Sequence, residues 1–187
     1  MERRKVILVT DGDDVARNAV EVATHNIGGR CISASAGNPT PLTGPEIIKL
    51  IKSAPFDPVV VMVDDKGSKG KGRGERAMEA IMKDEGIDVL GVVAVSSNGR
   101  DCKSIPLSCS ITKDGRVIDN GVDKYGNDIR SKRMCGDTLS ILRNVQNMVI
   151  VGIGDPGKMD FNDDIAKGSP ITTMALKEIL KRNEAVH

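Results

Sequence analysis

The chain has 187 residues, 39% of them apolar, which is enough to fill one core and sets a single domain, residues 1–187, as the expectation. Twenty-seven Lys and Arg against 26 Asp and Glu leave a formal charge of +1, which excludes a global electrostatic pull towards nucleic acid or anionic membrane. With no Trp, one Tyr and two Phe, stacking platforms for single-stranded nucleic acid are nearly absent.

The N-terminus, MERRKVILVT, is read as a first strand over Lys5 to Thr10 rather than as a signal peptide, because its apolar run is short and ends in the acidic turn DGDD. Asp13 then caps a helix through about Asn26, in which Ala16, Ala19, Val20, Ala23 and Ile27 share a face. Gly28 and Gly29 stop it, Arg30 to Ser35 reads as strand two, and Pro45 in the first turn opens a helix with Ile47, Ile48 and Ile51 as its apolar positions. Strand three is Val59 to Val63. A Gly- and Lys-rich loop, Lys66 to Gly74, leads into a helix from Glu75 to Glu85 with Ala77, Met78, Ile81 and Met82 at core spacing. Strand four runs from Val89 to Val95.

After Ser96 the texture becomes irregular to about residue 135, and within it ITKDGRVI predicts a hairpin turning at Asp114 and Gly115. A helix from Asp137 to Gln146, a strand from Met148 to Ile153 and a last helix from Pro170 to Asn183 complete the chain. Apolar strands alternating with helices predict an α/β, Rossmann-like three-layer sandwich with a mainly parallel sheet, carrying the hairpin segment 97–135 as an insertion. No apolar run approaches the roughly 20 residues of a membrane-spanning helix. The four cysteines, Cys31, Cys102, Cys109 and Cys135, form no CxxC pair and are read as reduced structural thiols of a cytosolic protein.

The residues that invite chemistry are carboxylates at strand ends. Asp11 follows strand one, and Asp64 and Asp65 follow strand three. With strand order 2-1-3-4 these ends are neighbours, and ligands of open parallel sheets bind beyond the carboxyl ends of strands. Asp11, Asp64 and Asp65 are therefore candidate ligands for a weakly held Mg²⁺ or Ca²⁺, with Asp13, Asp14, Asp155, Asp163 and Asp164 close in the pattern. Aspartate is also the ordinary cap of a helix, which suffices for Asp13 and Asp14. No cofactor is assigned. The loop KGSKGKGRGE brings glycine amides and cations to a helix start, as an anion cradle does, but lacks the Gly-Lys-Ser/Thr ending of a Walker A loop. GIGDPG lacks the spacing of a dinucleotide fingerprint, and no Ser-His-Asp or Cys-His arrangement stands out.

The segments VILVTDGD, IGGRCISASAGNPTPLTGPEII, PFDPVVVMVDD, GERAMEAI, VLGVVAVSSN, GVDKYGN and VGIGDPGKM…GSPITTMALKEIL together resemble the soluble SpoVAE family of the stage V sporulation A proteins, over nearly the whole chain. The resemblance implies a non-enzymatic accessory subunit of the spore inner-membrane apparatus. That apparatus moves dipicolinic acid, as its calcium chelate, into the developing spore and out again at germination. It implies other SpoVA subunits, membrane and soluble, as partners, a location in the cytoplasm or peripheral at the spore inner membrane, and no nucleic acid; a homo-oligomer is compatible with it. It carries over no catalytic residue. Docking is expected on the segments 96–135 and 155–169, with Met159 and Phe161 of KMDF as the contact residues. The alternative reading is a Toprim-like, Mg²⁺-dependent nuclease or nucleotidyl-transfer domain. Against it, strand one ends in Asp11 where that family has a glutamate, and Asp64 and Asp65 are adjacent where it has Asp-x-Asp.

Overall fold

Four runs of β-branched residues set the middle of the sheet. In the structure, a computed structural model that describes residues 2–66, 71–97, 104–136, 138–145 and 147–185, they form β1 (Arg4–Val9), β3 (Val59–Met62), β4 (Ile87–Val95) and β9 (Val149–Ile153). All run parallel, with Val6 opposite both Val59 and Val89, and Val93 opposite Val151. Side chains alternate across this sheet as the pleat demands. Val6, Leu8, Val59, Val61, Val92 and Ala94 enter one core, while Ile7, Val9, Val60, Met62, Val93 and Val151 enter the other.

The first core is roofed by α2 (Gly44–Ser53) and α3 (Arg73–Lys83), and the second by α1 (Asp14–Asn26) and α4 (Pro170–Glu184). This is the three-layer α/β sandwich expected. Alongside the main sheet lies a two-stranded antiparallel ribbon of β5 (Ile105–Pro106) and β8 (Arg133–Met134).

Three details differ from the sequence reading. With β2 at Arg30–Cys31, β6 at Cys109–Ile111 and β7 at Val117–Ile118, the sheet order is β2-β3-β1-β4-β9-β6-β7, so β3 does neighbour β1, but β2 lies outside β3 rather than outside β1. The strand itself, β2 (Arg30–Cys31), is shorter than expected, because the chain turns into a 3-10 turn at Ser33–Ser35. The Ser35 hydroxyl donates to Ile32 O (2.7 Å) and accepts from Met62 N (2.9 Å), which replaces further ladder bonds. The helix expected over 137–146 is a 3-10 turn at Ser140–Asn144, with residues 137 and 146 outside the described set. The hairpin forms as predicted, β6 (Cys109–Ile111) with β7 (Val117–Ile118) around Gly115 at φ 79°, and it docks in parallel on β9, extending the main sheet.

Candidate functional site

The carboxyl ends of β1, β3 and β9 carry the acids singled out above, and each acid is already engaged. At the end of β1, Asp11 folds back on its own turn and accepts from Gly12 N (2.7 Å) and Asp13 N (3.3 Å). Asp13 caps α1 by accepting from Ala16 N (2.8 Å). Beyond β9, Asp155 accepts from Gly157 N (2.9 Å) and pairs with Lys158 (2.5 Å). Burial, then the neighbouring charge of Asp13 and more weakly that of Asp155, raise the Asp11 carboxyl to about 7, against the pull of the two amides.

At the end of β3 the arrangement is different. The Asp64 main chain is held by Thr40, whose hydroxyl accepts from Asp64 N (2.8 Å) and whose amide donates to Asp64 O (2.9 Å), and the Asp64 carboxylate accepts from Lys66 N (2.9 Å). Asp65 reaches under the first turn of α3 and accepts from Gly74 N (2.6 Å) and Glu75 N (3.2 Å). Burial pushes the Asp65 carboxyl up, with the Glu75 charge adding to it. Glu75, itself buried, accepts from Ser140 N (3.1 Å) and from the Ser140 hydroxyl.

The glycines of the KGKGRG loop thus have a different task from the one their spacing suggests. A side chain on Gly72 would overlap the Asp65 carboxylate, and a Cβ on Gly74 would lie 2.7 Å from the Asp64 backbone. Gly72 makes room for the chain's own Asp65 carboxylate and Gly74 for the Asp64 main chain, so the N-terminus of α3 is already occupied from within; Gly67 and Gly70 lie outside the described residues. The start of α4 follows the same rule. Asp163 accepts from Ile171 N (2.7 Å), Thr172 N (3.0 Å) and the Thr172 hydroxyl (2.5 Å). At α2 the capping box pairs Thr43 with Glu46. Every α-helix among the described residues therefore starts on a carboxylate of the chain itself, which offsets its partial positive charge.

The strand-end acids do not gather as one group of five. The neighbours that raise Asp11 are Asp13 and Asp155, whereas the acid beside Asp65 is Glu75. Among the described residues no three or more His, Cys, Asp or Glu side chains are grouped so as to hold a metal ion. Of the two expected contact residues, Met159 is fully buried, against Gly126 and Gly154, and only Phe161 is open, at 78% exposure. The reason is local. Met159 O accepts from Asn162 N (2.9 Å), and Asp160 and Phe161 take φ of 52° and 58°, which turns Met159 inward and Phe161 out. The cysteine reading is corrected too. Cys31 and Cys109 are free thiols, both raised to about 11 by burial, but Cys135 is disulfide-bonded, a pairing that no local spacing announces.

A family model described as SpoVAE, Stage V sporulation protein AE1, matches residues 5–183. The chain belongs to the SpoVAE family. It is thereby a sporulation protein of the SpoVA group, and no helix among the described residues is long and apolar enough to cross a membrane. No curated protein and no solved structure matches it. The residues of this SpoVAE chain that sequence reasoning missed are Thr40, Glu75 and Ser140, whose partners lie 24 to 65 positions away.

Asp11 gives a direct test of this electrostatic picture. Its carboxyl in the folded chain titrates near 7 against an ordinary 3.8, so between about pH 4 and 7 the folded state keeps a proton that the unfolded state has lost. Stability contributed by this group is full below pH 4 and is lost as pH rises through 7. Asp11→Asn keeps the acceptor oxygen and removes the charge, and it is expected to flatten that decline and to gain on the order of 2–4 kcal/mol at pH 8. Urea titrations of both proteins at pH 5 and 8 measure it, and parallel pH dependences would overturn the assignment.

Proposed function

We propose that this chain is a non-enzymatic accessory subunit of the spore inner-membrane SpoVA apparatus, serving the uptake of dipicolinic acid during sporulation and its release at germination. Family membership over residues 5–183 supports the setting. With no described helix able to span a bilayer, docking on the other SpoVA subunits provides its place at the membrane. The observation that carries the docking reading is Phe161, an exposed aromatic next in chain but one to the fully buried Met159. A side chain so anchored loses little freedom on binding, which is what interface anchors require.

The reading as a metal-dependent nucleotidyl-transfer domain has less support. Asp65 is committed to the start of α3, and the acidic groups after β1 and β3 have separate neighbours.

The test is a pull-down from sporulating cells with wild type and Phe161→Ala, read for membrane and soluble SpoVA subunits. Wild type is expected to recover them and the variant to recover about tenfold less, with an unchanged circular dichroism spectrum, since Phe161 packs on nothing in the core. Recovery of no SpoVA subunit by wild type overturns the reading. Equal recovery by the variant moves the contact off this loop.

A further inference from the structure

One flank of α1 carries no charge. Val15 and Val22 stand seven positions apart, about two helical turns, and Asn26 follows four positions on, so the three share one side of the helix. The segment 155–168 runs along that side. A side chain on Gly157 would meet Val15 Cγ1 at 3.4 Å, and Asn26 Nδ2 donates to Gly168 O (2.9 Å), so the segment touches α1 in its first turn and again in its last. The 3-10 turn within it, Ile165–Lys167, packs beside the helix.

The seam between them is apolar and open. Val15 is 54% exposed and Ile165 51%, and Val22 is half-buried. Branched aliphatic side chains gathered on one face, rather than scattered singly, mark a contact surface. The charges lie at the two ends of the seam and differ in sign. At the start of α1, Asp13 is spent on its cap, and Asp14 has only Arg17 of its own helix, at 3.3 Å, with its side chain 86% exposed. Asp155 at that end is paired with Lys158 (2.5 Å). At the other end stand His25, in the last turn of α1, and Lys167, which makes no ion pair among the described residues. Asp164 is taken up by its own turn, accepting from Ala166 N (2.7 Å), and Glu21 lies on the far side of the helix, with Arg30 near Cys31.

We propose that this seam is a homodimer contact, in which α1 of a second copy of this chain lies antiparallel across it about a two-fold axis. Val15, Val22 and Ile165 of each copy cover those of the other. A two-fold lays the acidic end of one seam on the basic end of its mate, twice over, so Asp14 meets Lys167 and His25 of the second copy. A seam with one sign at both ends would repel itself in this arrangement. The uncharged middle suits the core of such a contact and the charged ends its rim. The proposal does not rest on the docking reading, since Phe161 is not among the residues that carry it.

The experiment is sedimentation equilibrium of the full chain between about 10 μM and about 1 mM. The average mass is expected to rise from that of one chain to that of two. Val15→Glu and Ile165→Glu, both at exposed positions, are each expected to weaken the dimer at least about tenfold with an unchanged circular dichroism spectrum. Asp14→Lys and Lys167→Glu are each expected to weaken it by about fivefold, and the double variant to return to within about twofold of wild type. The mass of one chain throughout, a dimer indifferent to both glutamate variants, or a double variant no tighter than the single ones would each overturn the proposal. So would a chain that stays monomeric and recovers fewer SpoVA subunits once Val15 is glutamate, because the seam then belongs to another subunit. Phe161→Ala has no part in this test, so failure of the dimer and failure of docking through Phe161 are read separately.

Discussion

Replacing Asp163 by alanine is expected to cost about 3–5 kcal/mol, the largest effect of any single side chain considered. Asp163 is 1% exposed, and its two oxygens take the amides of Ile171 and Thr172 and the Thr172 hydroxyl. Alanine leaves all three donors buried and unpaired at the start of α4, whose Ile171, Ala175, Leu176 and Ile179 fill the core against β4 and β9. Asp163→Asn keeps an acceptor towards the amides and is expected to cost only about 1–2 kcal/mol. Burial also holds the Asp163 carboxyl above its ordinary range, so the folded state retains its proton as pH rises past 4. The asparagine variant therefore closes part of its deficit as pH rises. Urea midpoints at pH 7 decide the matter, and an alanine variant as stable as wild type would remove Asp163 from its capping role.

Gly12→Ala is expected to lose about 2–4 kcal/mol through backbone overlap rather than through any lost bond. A Cβ on Gly12 would overlap the carbonyl oxygen of Gly37 and reach within 3.0 Å of the Gly37 nitrogen, so the clash is with main chain and no rotamer relieves it. The loop that must move is pinned in turn, since Thr40 clamps Asp64. Gly86→Ala is the matched control. There the nearest atoms are the Asp84 carboxylate at 3.1 Å and the flexible end of Lys52 at 3.2 Å, and less than about 1 kcal/mol is expected. Thermal melts of the two variants compare them directly, and equal losses would show that the approach of residue 12 to residue 37 is not tight.

What could be read in advance followed from local physics. The runs around Ile7, Val60 and Val93 are β-branched on both pleat faces, which marks buried parallel strands whatever lies next to them. Asp114 and Gly115 announced their turn because the hairpin bends within a few residues. The misreadings came from contacts made at a distance. Strand two ends early because Ser35 answers the amide of Met62, 27 positions on. The segment after residue 138 is a 3-10 turn whose first amide, that of Ser140, bonds Glu75 from α3. Met159 reads as a surface residue in a polar loop, and only two consecutive positive φ angles turn it into the core. The strand-end aspartates were located correctly, but that Asp65 and Asp163 each fill the start of the helix that follows depends on a fold-back of eight to ten residues.

The sheet's outermost strands, β2 and β7, are each two residues long. Amyloid-like growth and edge-to-edge polymerisation need a run of unpaired amides and carbonyls long enough to template an incoming strand. Two-residue rims offer almost none, while the long apolar strands β1, β4 and β9 are flanked on both sides. Among the described strands, edge pairing is confined to these two-residue rims, so self-association through them is expected to proceed by side chains, where a single surface substitution can tune it.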